Sequence, residues 1–209
     1  MKRAAFLAGI AVLLAAWTVA AAHLGMTGHM AAHMAAVAVA APLVAWGIAG
    51  TRLDPAVRWP ALVGPLQMSV VELLVVWGWH VPAARQFAAT RAVGLVLEQA
   101  MFFAAGLLLW SACLGTRDSA RTARRAAGVG ALLLTTIHMT LLGVLVALAP
   151  RLLFATHGSD LFGMRLSPMQ DQQIGGVIML LVGAGSYLVG GLLLLGRLLR
   201  DQNVRAVRP

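Results

Sequence analysis

Six apolar stretches dominate the chain, at about 4–22, 30–49, 61–80, 92–115, 127–149 and 173–196. Each is close to the length a helix needs to cross roughly 30 Å of hydrocarbon. In lipid the backbone must satisfy its own N–H and C=O groups, so spans of this kind form helices. Short separators with turn and charge signals divide them, such as Thr51-Arg52-Leu53-Asp54-Pro55 and Arg117-Asp118-Ser119. Composition agrees: 60% of residues are apolar and 11% charged, where a soluble domain carries about 25% charged residues. The expected fold is an all-α polytopic membrane helix bundle of about six transmembrane helices. No long linker or change of composition interrupts it, so residues 1–209 read as a single integral membrane domain.

The basic residues orient the bundle. With the N-terminus inside, Lys2, Arg3, Arg52, Arg58, Arg117, Arg121, Arg124, Arg125, Arg197, Arg200, Arg205 and Arg208 are cytoplasmic. Only Arg85, Arg91, Arg151 and Arg165 fall outside. This asymmetry predicts both termini in the cytoplasm. Trp17, Trp77 and Trp79 then lie at the outer interface, with Trp46, Trp59 and Trp110 at the inner one. The expected location is a bacterial inner (cytoplasmic) membrane, crossed several times.

The first stretch has a second reading. Met1-Lys2-Arg3, an apolar run and Ala20-Ala21-Ala22 also resemble a cleaved secretory signal. The uninterrupted run is longer than a usual signal core, which favours residues 1–22 as a retained first helix. Cleavage would leave the orientation of the rest unchanged.

The formal charge of +9 does not indicate nucleic acid, because the basic residues flank apolar spans rather than interleave with aromatics. The bilayer is the expected partner. Cys113 is the only cysteine, which excludes an intrachain disulfide and a CxxC metal site. A bound metal would rest on His, Met and carboxylates.

Such residues crowd one region. His23, Met26, His29, Met30, His33 and Met34 fall within twelve residues. Helical spacing puts His29 and His33 on one stripe and Met30 and Met34 on the next. Imidazole and thioether together suit copper(I) better than a hard cation. Equally, Met fills apolar gaps and His can anchor a helix at the headgroups.

In the predicted topology nearly every other possible ligand lies in the outer half. His80 ends the third span, and Glu72 lies two turns deeper, roughly 12 Å away. Glu98 and Met101 occupy the first turns of the fourth span, and His138 and Met139 the middle of the fifth. His157, Met164, Met169 and Asp171 belong to the last outer loop, and Met179 to the sixth span. Ionisable groups inside spans face the bundle interior, which marks Glu72, Glu98 and His138 as functional or structural network members. Asp171 and Gln172, at the mouth of a helix, can cap free N–H groups or orient a metal-bound imidazole. Met101, Met139 and Met179 read first as packing.

The ordered motifs are His29-x-x-x-His33-Met34, Ala41-Pro42-Leu43, Trp79-His80-Val81-Pro82, Leu97-Glu98, Met101-Phe102-Phe103 with Trp110, and Leu142-Gly143. Asp171-Gln172-Gln173-Ile174-Gly175-Gly176-Val177-Ile178-Met179 follows and is the most specific. With these the chain resembles the CtaG-type cytochrome c oxidase assembly factors associated with caa-type oxidases, from residue 29 to about 190. One position departs: Glu98-Gln99 stands where that family usually has Glu-His, and an amide is a poor substitute for imidazole at copper.

The resemblance implies a non-enzymatic assembly factor for cytochrome c oxidase, with oxidase subunits or copper chaperones as partners. It also implies a role in copper supply, and the expected cargo is Cu(I) at a periplasm-facing site. The candidate metal residues are His29, His33, Met34, His80, Met30, Glu98 and His138, with Asp171, Gln172, Met101 and Met179 around them. Two other readings are a haem cytochrome using His33, His80 and His138, and a copper uptake or resistance permease. Against the first stands the single mid-span His; against the second, the scarcity of ionisable groups in the cytoplasmic half.

Overall fold

The computed structural model describes residues 1–22, 24–114, 121–154, 159–161 and 164–207. In chain order the elements are α1 (Lys2–Ala21), α2 (Gly25–Met34), a π-helical stretch (Ala35–Ala40) and α3 (Ala41–Ile48). Next come α4 (Pro55–Arg58), α5 (Pro65–Trp79), α6 (Pro82–Thr90), α7 (Ala92–Leu114) and α8 (Arg121–Ala147). A two-stranded antiparallel hairpin, β1 (Ser159–Leu161) and β2 (Met164–Leu166), precedes α9 (Pro168–Ile178). A second π-helical stretch (Met179–Ala184) then leads into α10 (Gly185–Val207).

The fold is an all-α polytopic bundle, with five helical stretches long and apolar enough to cross a membrane. The expected third span is shorter than its hydropathy suggested. Its helix has 15 residues, about 22 Å of rise. Prolines set both limits. Pro65 starts α5 at a position where its missing N–H is harmless. Val81, extended with ψ 133°, stands before Pro82, which opens α6. That short helix, unforeseen in the sequence, turns back along α7.

Where two long spans cross near their middles, each carries a π-helical stretch. Pro42 explains one of them. In a regular helix residue 42 would donate its N–H to the carbonyl of Ala38, which proline cannot do. The Ala38 carbonyl instead accepts the Ser186 hydroxyl of α10 at 2.6 Å. A backbone group freed by a helix irregularity is thus satisfied from the neighbouring span.

Small residues bring the helices close. A Cβ on Gly9 of α1 would lie 2.7 Å from Val44 Cγ2 of α3, and one on Gly47 of α3 2.6 Å from Phe6 Cβ. Between α8 and α9, Gly143 and Gly176 allow backbone to meet backbone. Without a hydrophobic drive between helices in lipid, such approaches supply the dispersion contact.

Polar contacts gather at the two ends. At one, Lys2 Nζ donates to Ala49 O at 2.8 Å, Arg124 to Val63 O at 2.8 Å, and Arg125 pairs with Asp201. At the other lie His29, His80, Arg85, Glu98 and Asp171.

Candidate metal centre

Helix periodicity puts His29 and His33 of α2 on one stripe, facing α5 and α7. His80 follows the last residue of α5, so the end of that helix aims it at the same point. Three rings result, with centroids 6.3 Å apart for His29–His33 and His29–His80 and 5.5 Å for His33–His80. One nitrogen from each can be chosen so that all three lie within 4.8 Å of one another. At metal–nitrogen distances of about 2.0–2.1 Å, ligand nitrogens around one ion sit about 3.5 Å apart. The three nitrogens would have to draw in from that spacing to share one ion.

Burial makes the cluster chemically telling. His29 is 5% exposed, His33 0% and His80 7%. His80 Nδ1 lies 2.6 Å from the Val76 carbonyl, which can only accept, so Nδ1 carries the proton. Nε2 is left with its lone pair and, among the described residues, no hydrogen-bond partner. Among the described residues, neither nitrogen of His33 has a partner, nor does Nε2 of His29. Buried polar atoms are ordinarily satisfied, and leaving one bare costs about 1–3 kcal/mol.

Aromatic walls fix the rings. Phe102 of α7 lies flat on His33, with centroids 3.7 Å apart and planes 8° from parallel. Phe154 meets His80 edge-on at 6.4 Å. One turn before Phe102, the fully buried Glu98 brings Oε2 to 3.7 Å from His29 Nδ1. Arg85 of α6 approaches both carboxylate oxygens, at 3.4 and 3.5 Å. Burial pulls the Arg85 guanidinium down from its ordinary value, and the Glu98 charge opposes that shift.

Other sequence candidates sit elsewhere. Met26, Met30 and Met34 are buried, and their stripe packs on the glycine face of the last span. A Cβ on Gly175 would be 3.1 Å from Met30 Cγ and 3.2 Å from Met26 Cγ; one on Gly183 would be 2.8 Å from Met34 Sδ. Among the described residues, His138 is buried with both nitrogens unpartnered and is not a member of the three-imidazole cluster. Met101 is 42% exposed and lines an outward groove with Leu74, Trp79 and Phe87. It points away because α7 buries the Glu98–Phe102 stripe instead. Met179 is fully buried in the apolar core. Gln99 is buried, and among the described residues its amide makes no hydrogen bond of ordinary geometry. His23, His157 and Arg117-Asp118-Ser119 lie outside the described residues.

Asp171 and Gln172 act on backbone rather than on imidazole. Asp171 accepts the N–H groups of Met26 and Thr27, at 2.7 and 2.9 Å, and the Ser159 hydroxyl at 2.8 Å. It therefore caps α2, not its own helix, whose N-terminus Ser167 and Gln170 close with a capping box. Gly25, at φ +68°, makes room: a Cβ there would lie 2.6 Å from Asp171 Oδ2. Gln172 accepts from Leu153 N at 2.7 Å and donates to Val146 O and Arg151 O. It anchors the segment that delivers Phe154.

Over residues 1–201 the chain matches the family described as cytochrome c oxidase caa3 assembly factor (Caa3_CtaG). The chain belongs to that family. No match was found among curated proteins or among solved structures. In this member of the family the motif residues lie on both sides of one cluster: His29 and His33 from the first motif, His80 from the third, Glu98 and Phe102 from α7. The final motif supplies the cap and the anchor behind them.

Two contributors escaped the sequence reading. Arg85 counted only as an outer topology charge, although it follows His80-Val81-Pro82 in a short amphipathic stretch. Phe154 had no signal at all, because nothing local ties it to His80.

A second polar group lies deeper in the bundle. Glu72, on the same face of α5 as His80, accepts the Tyr187 hydroxyl. Nearby, Ser69 and Thr135 share a hydrogen bond of 2.9 Å. Tyr187 stacks on Trp110, with centroids 5.5 Å apart.

Proposed function

We propose that this caa3 assembly factor receives copper(I) as cargo at His29, His33 and His80, on the periplasmic side, and passes it on during oxidase maturation. The observation that carries the reading is the set of bare ring nitrogens, buried together within 4.8 Å. Three neutral imidazoles with one soft monovalent ion satisfy those lone pairs without burying a large net charge. Glu98 stands beside His29 as a charge-balancing or fourth group. Met30 and Met34 occupy the adjacent stripe, where a rotamer change gives a thioether for transfer. His138 lies apart from the entry cluster.

The role is assembly rather than catalysis. Phe102 and Phe154 wall the cluster, as suits a site that holds a cargo ion for the assembly role the family description names. A haem plane between two of these rings would have to displace Phe102 and the third imidazole together.

Copper(I) titration of the purified protein against a chromophoric chelator tests the reading. One equivalent should bind to the wild type and be lost in His33→Ala and His80→Ala. Cells carrying either variant should assemble an oxidase poor in copper and low in activity. Normal oxidase in both, or no uptake by the wild type, would overturn the proposal.

A further inference from the structure

A cation stands built into the rim of a site that must accept a cation. The Arg85 guanidinium is 3.5 Å from Glu98 Oε2, which is 3.7 Å from His29 Nδ1. Those two distances bound the separation of guanidinium and imidazole at about 7 Å. The Arg85 side chain is 14% exposed and that of Glu98 fully buried, so the arginine lies between the carboxylate and solvent. At such positions charges are poorly screened by salt.

Structural roles alone explain this badly. The contacts with Glu98 are long for a charge-assisted pair, at 3.4 and 3.5 Å, where about 2.7–2.9 Å is usual. An arginine retained only to neutralise Glu98 would be expected to close on it. Here it stops short of close contact, with the His29 ring just beyond the carboxylate.

We infer that Arg85 is a specificity-determining residue, whose fixed positive charge tempers the pull of the nearer Glu98 carboxylate and so limits the advantage that a divalent metal ion has over a monovalent one at the imidazole cluster. The inference rests on the copper(I) reading of the same cluster. Its physics is linear in charge: whatever repulsion Arg85 exerts on a monovalent ion doubles for a divalent one. With an effective dielectric of about 20 and a separation on the order of 10 Å, each unit of charge is disfavoured about tenfold in affinity. Three imidazoles alone would bind zinc(II) readily, so discrimination needs a term of this kind. Arg85 supplies it without touching the ion.

The test compares zinc(II) and copper(I) affinities, by chelator competition, in the purified full-length protein. In Arg85→Gln the zinc affinity should rise about tenfold more than the copper affinity. Arg85→Lys, which keeps the charge, should hold the wild-type ratio, and Arg85→Gln/Glu98→Gln, which removes the nearer carboxylate as well, should bring the ratio back to the wild-type value or below it. A structural defect would weaken both metals together and would not be repaired by removing Glu98 as well. An unchanged zinc-to-copper ratio in Arg85→Gln, with copper(I) still bound by the wild type and lost in His33→Ala, overturns the charge filter and leaves the copper site standing. No copper(I) uptake by the wild type overturns both.

Discussion

Asp171 on α9 holds the N-terminus of the helix that carries His29 and His33, its Oδ2 accepting the Met26 N–H at 2.7 Å. The first turn of α2 has no cap from its own sequence. Its orphan donors are met by a residue 145 positions away, so α9 fixes where the two imidazoles begin. Asp171→Ala should lower stability by about 1–3 kcal/mol, because a buried cap is lost and donors are left bare. Asp171→Asn, which keeps one acceptor, should lose less. Thermal unfolding in detergent measures the order, and equal losses would argue against capping.

Gly176 and Gly183 should respond unequally to the same methyl group. At Gly176 a Cβ meets the backbone of Ala147 and the Gly143 carbonyl, neither of which can turn aside. Gly176→Ala should cost about 2 kcal/mol or more by prising α9 from α8. At Gly183 the obstacle is Met34 Sδ, a flexible thioether, so Gly183→Ala should cost under about 1 kcal/mol. Unfolding midpoints of the two variants would show the gap.

Ser186 and Pro42 should be energetically coupled. Ser186→Ala removes the hydroxyl donor to the Ala38 carbonyl and should cost about 1–2 kcal/mol. In a Pro42→Ala background that carbonyl can regain an intrahelical N–H, so the serine should matter less. A double-mutant cycle giving an interaction near zero would remove the explanation of the π-helical stretch offered above.

Tyr187→Phe strips Glu72 of its phenol partner while preserving the ring stacked on Trp110. A loss of about 1–3 kcal/mol is expected. The Trp110 contribution to fluorescence emission should hold its wavelength. A large spectral shift would mean that the stack had collapsed, and the hydrogen bond could no longer be credited with the loss.

Part of this architecture can be read along the chain. Apolar runs of the length of a membrane crossing force helices, because no other backbone arrangement satisfies itself in lipid. Prolines and glycines mark where those helices stop, although the hydropathy of 61–80 concealed how short α5 is between Pro65 and Pro82. The i, i+4 spacing of His29 and His33 is a local fact that needs no partner. The family motifs occur in order along the sequence, and the match over residues 1–201 agrees with them.

The rest depends on contacts between residues far apart in the chain. Periodicity offered two adjacent stripes on α2, one of imidazole and one of thioether, with no means to rank them. Packing ranks them: glycines on α9 and the following π-helical stretch accept the methionines, which turns His29 and His33 toward His80 and Phe102. Asp171 and Gln172 offered acceptors and donors, and only the approach of α2 and of the segment after α8 determined which backbone groups they bind. Arg85 became part of the site because α6 folds back along α7 to reach Glu98. Sequence by itself determined the helices, the membrane and the family, since these follow from local periodicity, solvation and motif order. Which face of each helix meets which neighbour, and hence the cluster of three bare imidazoles under one arginine, was decided by tertiary packing, where close approach at glycine and the satisfaction of buried polar groups select one arrangement.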